Sequence, residues 1–483
     1  MSQHATIATP SPAAKNRTPP GPKAHWLRGN LEAFKPDRLK FLTECAQTYG
    51  DVVALRLGPK RIWALNHPDL VEEVLVTKNR QFVKHFGLRE AKPSLGEGLL
   101  TSEGDFWRRQ RRLAQPAFQR DRINGYANVM VDYTERMLKT WSHGQHRDVQ
   151  DDMMKLTLEI VTKTLFDADI AGDAGHVAEA MNTLMESFTE RVSRLIKPPI
   201  WVPTLSNLQF RRALNRVESV LYKIIADRRK TGEDRGDFLS MLLQAQDVEG
   251  DGSRMTDRQV RDESITLFMA GHETTANTLA WVWYLLSNHP EVEAKLHAEL
   301  DHVLDGRPPN VADLPRLVYT DRVVTETLRV MPTVWLLGRE AVEPVEIGGY
   351  LVPKGTTMWM SQWVIQRDPR WFDEPEAFRP ERWADGLAKR LPRYAYFPFG
   401  GGPRICIGNH FAQMEAVLLL AAIARKFRPR LAPGAIIKPL ATMTLRPESG
   451  VPVILEERLR NPGREHHENE DPQTQGRCPF STV

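Results

Sequence analysis

Cys406 lies in Phe399–Gly408, FGGGPRICIG, where the chain concentrates residues suited to chemistry. Three glycines and Pro403 make a rigid loop whose backbone can approach a flat cofactor closely. Backbone N–H groups beside the cysteine can donate to its sulfur, which stabilises a thiolate and tunes a metal bound to it. An apolar helix begins after Gly408, and a helix N-terminus also lowers a thiol pKa. Arg404, two residues before the cysteine, can meet an anion such as a carboxylate. The competing reading is an inert, buried cysteine beside a glycine turn. A phosphate loop is the other alternative, but no Lys-Ser/Thr follows the glycines.

A second cluster is Ala270–Thr275, AGHETT, inside a long helical stretch. Glycine, an acid and hydroxyls each disfavour a helix interior, and such a local violation points to a functional site. His272-Glu273 does not complete a zinc-protease H-E-x-x-H, because position 276 is alanine. In Glu326-Thr327-Leu328-Arg329 the acid and base share a helix face. On an exposed surface such a pair contributes only about 0–1 kcal/mol.

These residues need a scaffold, and the pattern is mainly helical. Helical periodicity covers 120–145, 151–168, 176–193 and 206–230. The longest helix opens on a capping box, Thr256 and Gln259, and runs without proline to Asn288. At about 1.5 Å per residue it spans roughly 48 Å and forms a central spine. Hairpins are expected at 51–65 and around Gly348-Gly349, with a further turn at Pro353-Lys354-Gly355. Residues 1–24 read as a flexible Pro-rich segment, 25–457 as the folded body and 458–483 as a disordered tail.

Composition narrows the classes. The 483 residues are 41% hydrophobic and 26% charged, and length alone suggests about three domains. A net charge of +4 argues against a nucleic-acid binder built on a dense basic field. The three cysteines, Cys45, Cys406 and Cys478, lie too far apart for a disulfide framework or a cysteine-rich zinc site. The longest apolar run, Ala416–Ala424, falls well short of the ~20 residues that cross a bilayer. The N-terminus lacks a signal peptide's apolar core, so a soluble, cytoplasmic protein is expected.

FGGGPRICIG resembles the haem-binding motif F-x-x-G-x-R-x-C-x-G of the cytochrome P-450 monooxygenases at Phe399, Gly402, Arg404, Cys406 and Gly408. Glu326–Arg329 matches the family's E-x-x-R, and Phe378–Trp383 looks like the segment whose arginine, here Arg382, joins that pair. Trp107–Arg111 matches W-x-x-x-R, and AGHETT resembles the oxygen-activation segment. The likeness runs from about Pro19 to Glu457. It implies a mainly α, single-domain fold with small β-sheets and a long helix over haem b.

Cys406 then supplies the axial thiolate. Trp107, Arg111, Arg404 and Arg339 hold haem propionates, and Phe399 and Gly408 shape the loop. Thr274 donates to dioxygen and Glu273 supplies protons, while Glu326, Arg329 and Arg382 form a structural network. The implied reaction inserts one dioxygen atom into a lipophilic substrate. A haem-thiolate isomerase or dehydratase, or a haem sensor, is the alternative. Residues 84–100, Phe188–Trp201, Ile265–Thr274 and Val334–Leu337 are expected to wall the substrate chamber. AGHETT resembles fatty-acid-hydroxylating members. Electrons from NAD(P)H are expected through a ferredoxin or flavodoxin-like protein and its reductase. Arg108, Arg109, Arg112, Arg425, Lys426 and Arg428 are the expected docking patch, and a monomer is expected.

Overall fold

In the computed structural model the stretch after Thr256 folds as one helix because its capping box closes. The Thr256 hydroxyl accepts from Gln259 N at 3.3 Å, and the Gln259 side chain accepts from Thr256 N at 2.9 Å. The structure describes residues 18–458 apart from 168–178, 181–182, 185–186, 188–197, 248–249 and 251. The helices that matter most for the site are α1 (Gly104–Ala114), α2 (Ala127–Leu138), α3 (Val149–Phe166), α4 (Leu205–Thr231), α5 (Asp257–Asn288), α6 (Val318–Val330) and α7 (Asn409–Lys426). Side-chain caps start α3 and α4, from Asp148 to Gln150 N and from Thr204 to Asn207 N. The expected 120–145 helix breaks at Gly125–Tyr126 into two, the second being α2. Most of 176–193, and residues 188–197 of the expected substrate wall, lie outside the described residues.

α5 is the spine. Trp281 and Trp283 are fully buried, and the Trp281 indole donates to Leu445 O at 2.9 Å. α2, α3, α5, α6 and α7 share one apolar core, and a second cluster joins the N-terminal half of α5 to α4. Ala416–Ala424 is buried throughout, and no described helix is long and apolar enough to cross a membrane. The chain thus builds one domain where length alone suggested about three.

Among the described residues, four small sheets flank the helices. The strands are β1 (Val52–Leu57), β2 (Lys60–Leu65), β3 (Phe82–Lys84), β4 (His146–Asp148), β5 (Leu337–Ala341), β6 (Val345–Ile347), β7 (Tyr350–Val352), β8 (Thr357–Met360), β9 (Phe427–Leu431), β10 (Pro439–Ala441), β11 (Leu445–Pro447) and β12 (Pro452–Glu457). The largest sheet runs β1-β2-β8-β5-β3, parallel only between β2 and β8. Both expected hairpins form, Leu57 opposite Lys60 and Ile347 opposite Tyr350. In the β3–β5 pair, Lys84 stands directly opposite Arg339. Residues 18–24, expected to be flexible, lie against β1, where Ala54 N donates to Pro20 O at 2.8 Å.

Candidate active site

The cysteine loop closes on itself, with Cys406 N donating to Phe399 O at 3.0 Å. Gly402 sits at φ +65°, and a Cβ there would fall 1.9 Å from Leu75 O, so the loop can lie this close to its neighbour only with glycine. α7 begins at Asn409, three residues past the cysteine, as expected. Burial pushes the Cys406 thiol pKa up, opposed by a hydrogen bond from Gly408 N–H and by the charge of Arg111. The thiol is nonetheless accessible, whereas Cys45 is buried with its pKa raised to about 11, the setting of an inert cysteine. Arg111 reaches the same loop, donating to Ile405 O at 2.9 Å and to Gln115 at 2.9 Å.

Beside this loop lies a cluster of cations with too few anions. The Arg404 guanidinium stacks 4.0 Å over the Trp107 ring, donates to Ser102 O at 2.8 Å and pairs with Glu103. Arg339 is buried, and its guanidinium donates to Gly338 O at 2.9 Å. Lys84 is buried opposite it, and burial followed by repulsion from Arg339 and Arg404 drives its pKa well down. Burial and Arg404 bring Arg339 to about 10. His85, held to about 3 by burial and these cations, is neutral. Like charges facing across a strand pair destabilise a sheet. Glu103 is the one acid affecting both Lys84 and Arg339, and its other oxygen accepts Lys84 N at 2.6 Å. A dianionic ligand would relieve this frustration, and the two carboxylates of haem b meet that requirement.

The spine answers with a single opening. Between Val260 and Ala280 only Ala270, Gly271 and Thr274 escape burial, and Ala270 and Thr274 share a face at i,i+4. The Thr274 hydroxyl donates to Ala270 O at 2.7 Å. Glu273 is engaged elsewhere: Thr444 Oγ1 donates to its carboxylate at 2.6 Å. Burial raises its pKa, against the Thr444 hydrogen bond and the charge of Arg446.

Glu326 and Arg329 are fully buried and paired through two 2.9 Å hydrogen bonds. Arg329 also donates to Gln366 O, Pro375 O and Ala377 O. Glu326 takes Arg382 Nε at 2.8 Å and the Trp383 indole at 2.9 Å. The network steadies the chain leading to the cysteine loop, because Gln366 bridges Leu328 O and Phe397 N.

The sequence reading missed Lys84, His85 and Glu103 as companions of Arg339 and Arg404. It also missed Glu415 on α7, fully buried, pushed up to about 8 by desolvation, with neither carboxylate oxygen in a hydrogen bond. An acid inside an otherwise apolar helix run was the available signal. The expected docking patch changes character. Arg109 and Arg112 pair with buried Asp247 at 3.1 and 2.6 Å, Arg425 and Lys426 pair with Glu135, and Arg108 with Asp105. Five of the six cations thus have acid partners within the fold, sharing three acids among them.

An accessible cysteine in a glycine loop, under-paired cations beside it and one polar opening in a buried helix define a haem-thiolate protein. The cytochrome P450 family pattern matches residues 19–453, and the chain belongs to that family. It is 42% identical to cyclooctatin synthase of Streptomyces melanosporofaciens over 86% of this chain and 90% of that protein. It is 37% identical to cyclooctat-9-en-7-ol 5-monooxygenase of the same organism, over 89% and 95%. Pentalenene oxygenase of Streptomyces avermitilis is 34% identical over 92% and 96%. The protein is a haem-thiolate monooxygenase, and nothing favours the isomerase, dehydratase or sensor alternatives. When bound, haem with a thiolate ligand supplies the electron push that favours O–O cleavage.

Proposed function

We propose that this monooxygenase hydroxylates or epoxidises a terpene. The observation that carries this is the single opening on α5, Ala270 and Thr274, set within an apolar wall. Leu95, Leu99, Ile265, Phe268 and Met269 belong to one apolar cluster there, with Leu100 packed on it. Such a wall binds by area and shape rather than by charge. The AGHETT likeness bears on the helix, while the relatives' names bear on substrate and are those of terpene-modifying enzymes, so we take a terpene over a fatty acid.

In this reading Cys406 ligates iron, and Arg404, Arg339, Arg111, Lys84 and Trp107 hold the propionate edge. Thr274 orders a proton donor at the opening, and Glu273, its pKa raised by burial, resupplies it. Phe399 and Gly408 keep the loop's shape around the sulfur. Electrons come from NAD(P)H through a separate ferredoxin or flavodoxin-like protein, a reading supported by membership of a family whose monooxygenases use redox partners. We place the enzyme in the cytoplasm as a monomer, consistent with three scattered cysteines and no described helix able to span a bilayer.

Spectral titration of the haem-loaded protein with cyclic terpenes, long-chain fatty acids and steroids tests the substrate. Low-spin to high-spin conversion by a terpene at the lowest concentration is expected, and conversion by fatty acids alone would overturn it. Thr274→Ala should keep haem and substrate binding but slow product formation by about 10²–10⁴. Its reducing equivalents should appear as hydrogen peroxide, and unchanged coupling would remove Thr274 from the role.

A further inference from the structure

We propose that Asp262 and Glu263 form a clasp that fixes the 96–103 loop over the opening of α5, making Glu263 a positioning residue for substrate selection. Glu263 Oε2 accepts Leu99 N at 3.0 Å and its Oε1 accepts the Gln110 side chain of α1 at 3.2 Å. Asp262 Oδ2 accepts Glu97 N at 2.9 Å, while its other oxygen takes Arg261, which also pairs with Glu218. Both acids are buried. A surface acid would not be taken inside a helix interface for these contacts alone, because burying a carboxylate is costly. Here the cost secures two backbone N–H groups of a loop that has no regular ladder to satisfy them.

The helical period places the clasp. Seven residues separate Glu263 from Ala270 and eleven separate it from Thr274, nearly whole numbers of turns, so all three share one face of α5. Seven residues at about 1.5 Å put Glu263 roughly 10 Å along the axis from the opening. The loop it holds therefore lies on the stripe that leads to Thr274. Close contact is built in: a Cβ on Gly98 would fall 2.1 Å from Thr266 Oγ1 and 2.7 Å from Asp262 O. At its far end the loop reaches the cysteine side, where Ser102 O accepts Arg404 and Glu103 pairs with Arg404. Loop position thus joins the substrate side of the helix to the cations beside Cys406.

The link to selection rests on the reading that this loop walls the substrate chamber, but amide exchange tests the clasp independently. In the haem-loaded full chain, Glu263→Ala should speed hydrogen exchange at the amides of 97–102 by about tenfold or more. The association rate of 4-phenylimidazole, followed by its Soret shift, should rise severalfold while that of imidazole changes less than about twofold. Glu263→Gln, which keeps one acceptor, should fall between. Gly98→Ala leaves both acids in place and displaces the loop from the other side, and it should give the same split. Unchanged exchange in both variants would overturn the clasp. Faster exchange with the two imidazoles altered in parallel, or haem content lost in step with binding, would overturn its role in selection.

Discussion

Two buried sets of charges in this molecule are built in opposite ways. Around Glu326 the acid meets Arg329, Arg382 and the Trp383 indole, and Arg329 spends its donors on three further carbonyls. Around Arg339 the cations outnumber the acids, with Lys84 facing Arg339 across a strand pair and Glu103 acting on both. The first arrangement is complete within the chain and serves structure. The second has fewer acids than cations, as the proposed propionate site requires. Burial and charge type are alike in both, so the count of partners distinguishes a structural network from a ligand site.

Breaking the complete network has the largest effect. Glu326→Ala strands Arg329 and Arg382, a loss of about 3–5 kcal/mol for an uncompensated buried charge. Little folded protein should remain, with or without haem, as judged by circular dichroism and haem content. Fully folded, haem-loaded Glu326→Ala would break the comparison.

The incomplete cluster should behave in the reverse sense. Lys84→Met and Arg339→Met relieve repulsion in the haem-free chain, so the apoprotein should melt at the same temperature or higher. Haem should dissociate faster, by roughly tenfold for each lost charge-assisted contact. An apoprotein destabilised by either change, with haem release unaltered, would place these cations with the structural network instead.

A smaller effect separates a third kind of buried charge, the lone acid. Glu415 has its pKa raised from 4.5 to about 8. Between those values the folded state holds a proton that the unfolded state has released, so this residue makes stability fall as pH rises. Its contribution approaches about 1.4 kcal/mol per pH unit across that window. Glu415→Gln should flatten the decline measured by denaturant unfolding from pH 5 to 8. An unchanged slope would mean that Glu415 is ionised in the fold.

What the sequence disclosed follows the same division. The cysteine loop, the Glu326–Arg329 pair and the capping box at Thr256 are local patterns, each determined by residues within a few positions of one another, and all three stand in the structure. Lys84 and Arg339 are 255 positions apart and meet only because β3 pairs with β5 in one register, which no local pattern announces. The docking patch shows the complementary limit. Its cations were visible in sequence, but Asp247 and Glu135, which pair with four of them, come from distant segments. Glu273 was read as a proton source beside Thr274, and its hydrogen-bond donor Thr444, supplied by the β10–β11 turn, is another contact that no local pattern announces.

The central claim is that Cys406 ligates the haem iron, and the spectrum of the reduced protein under carbon monoxide tests it most directly. A strongly red-shifted Soret band, the mark of a thiolate ligand, is predicted for the native chain and for Cys45→Ser and Cys478→Ser, and its loss is predicted for Cys406→His. A Cys406→His protein that kept the red-shifted band would contradict the assignment.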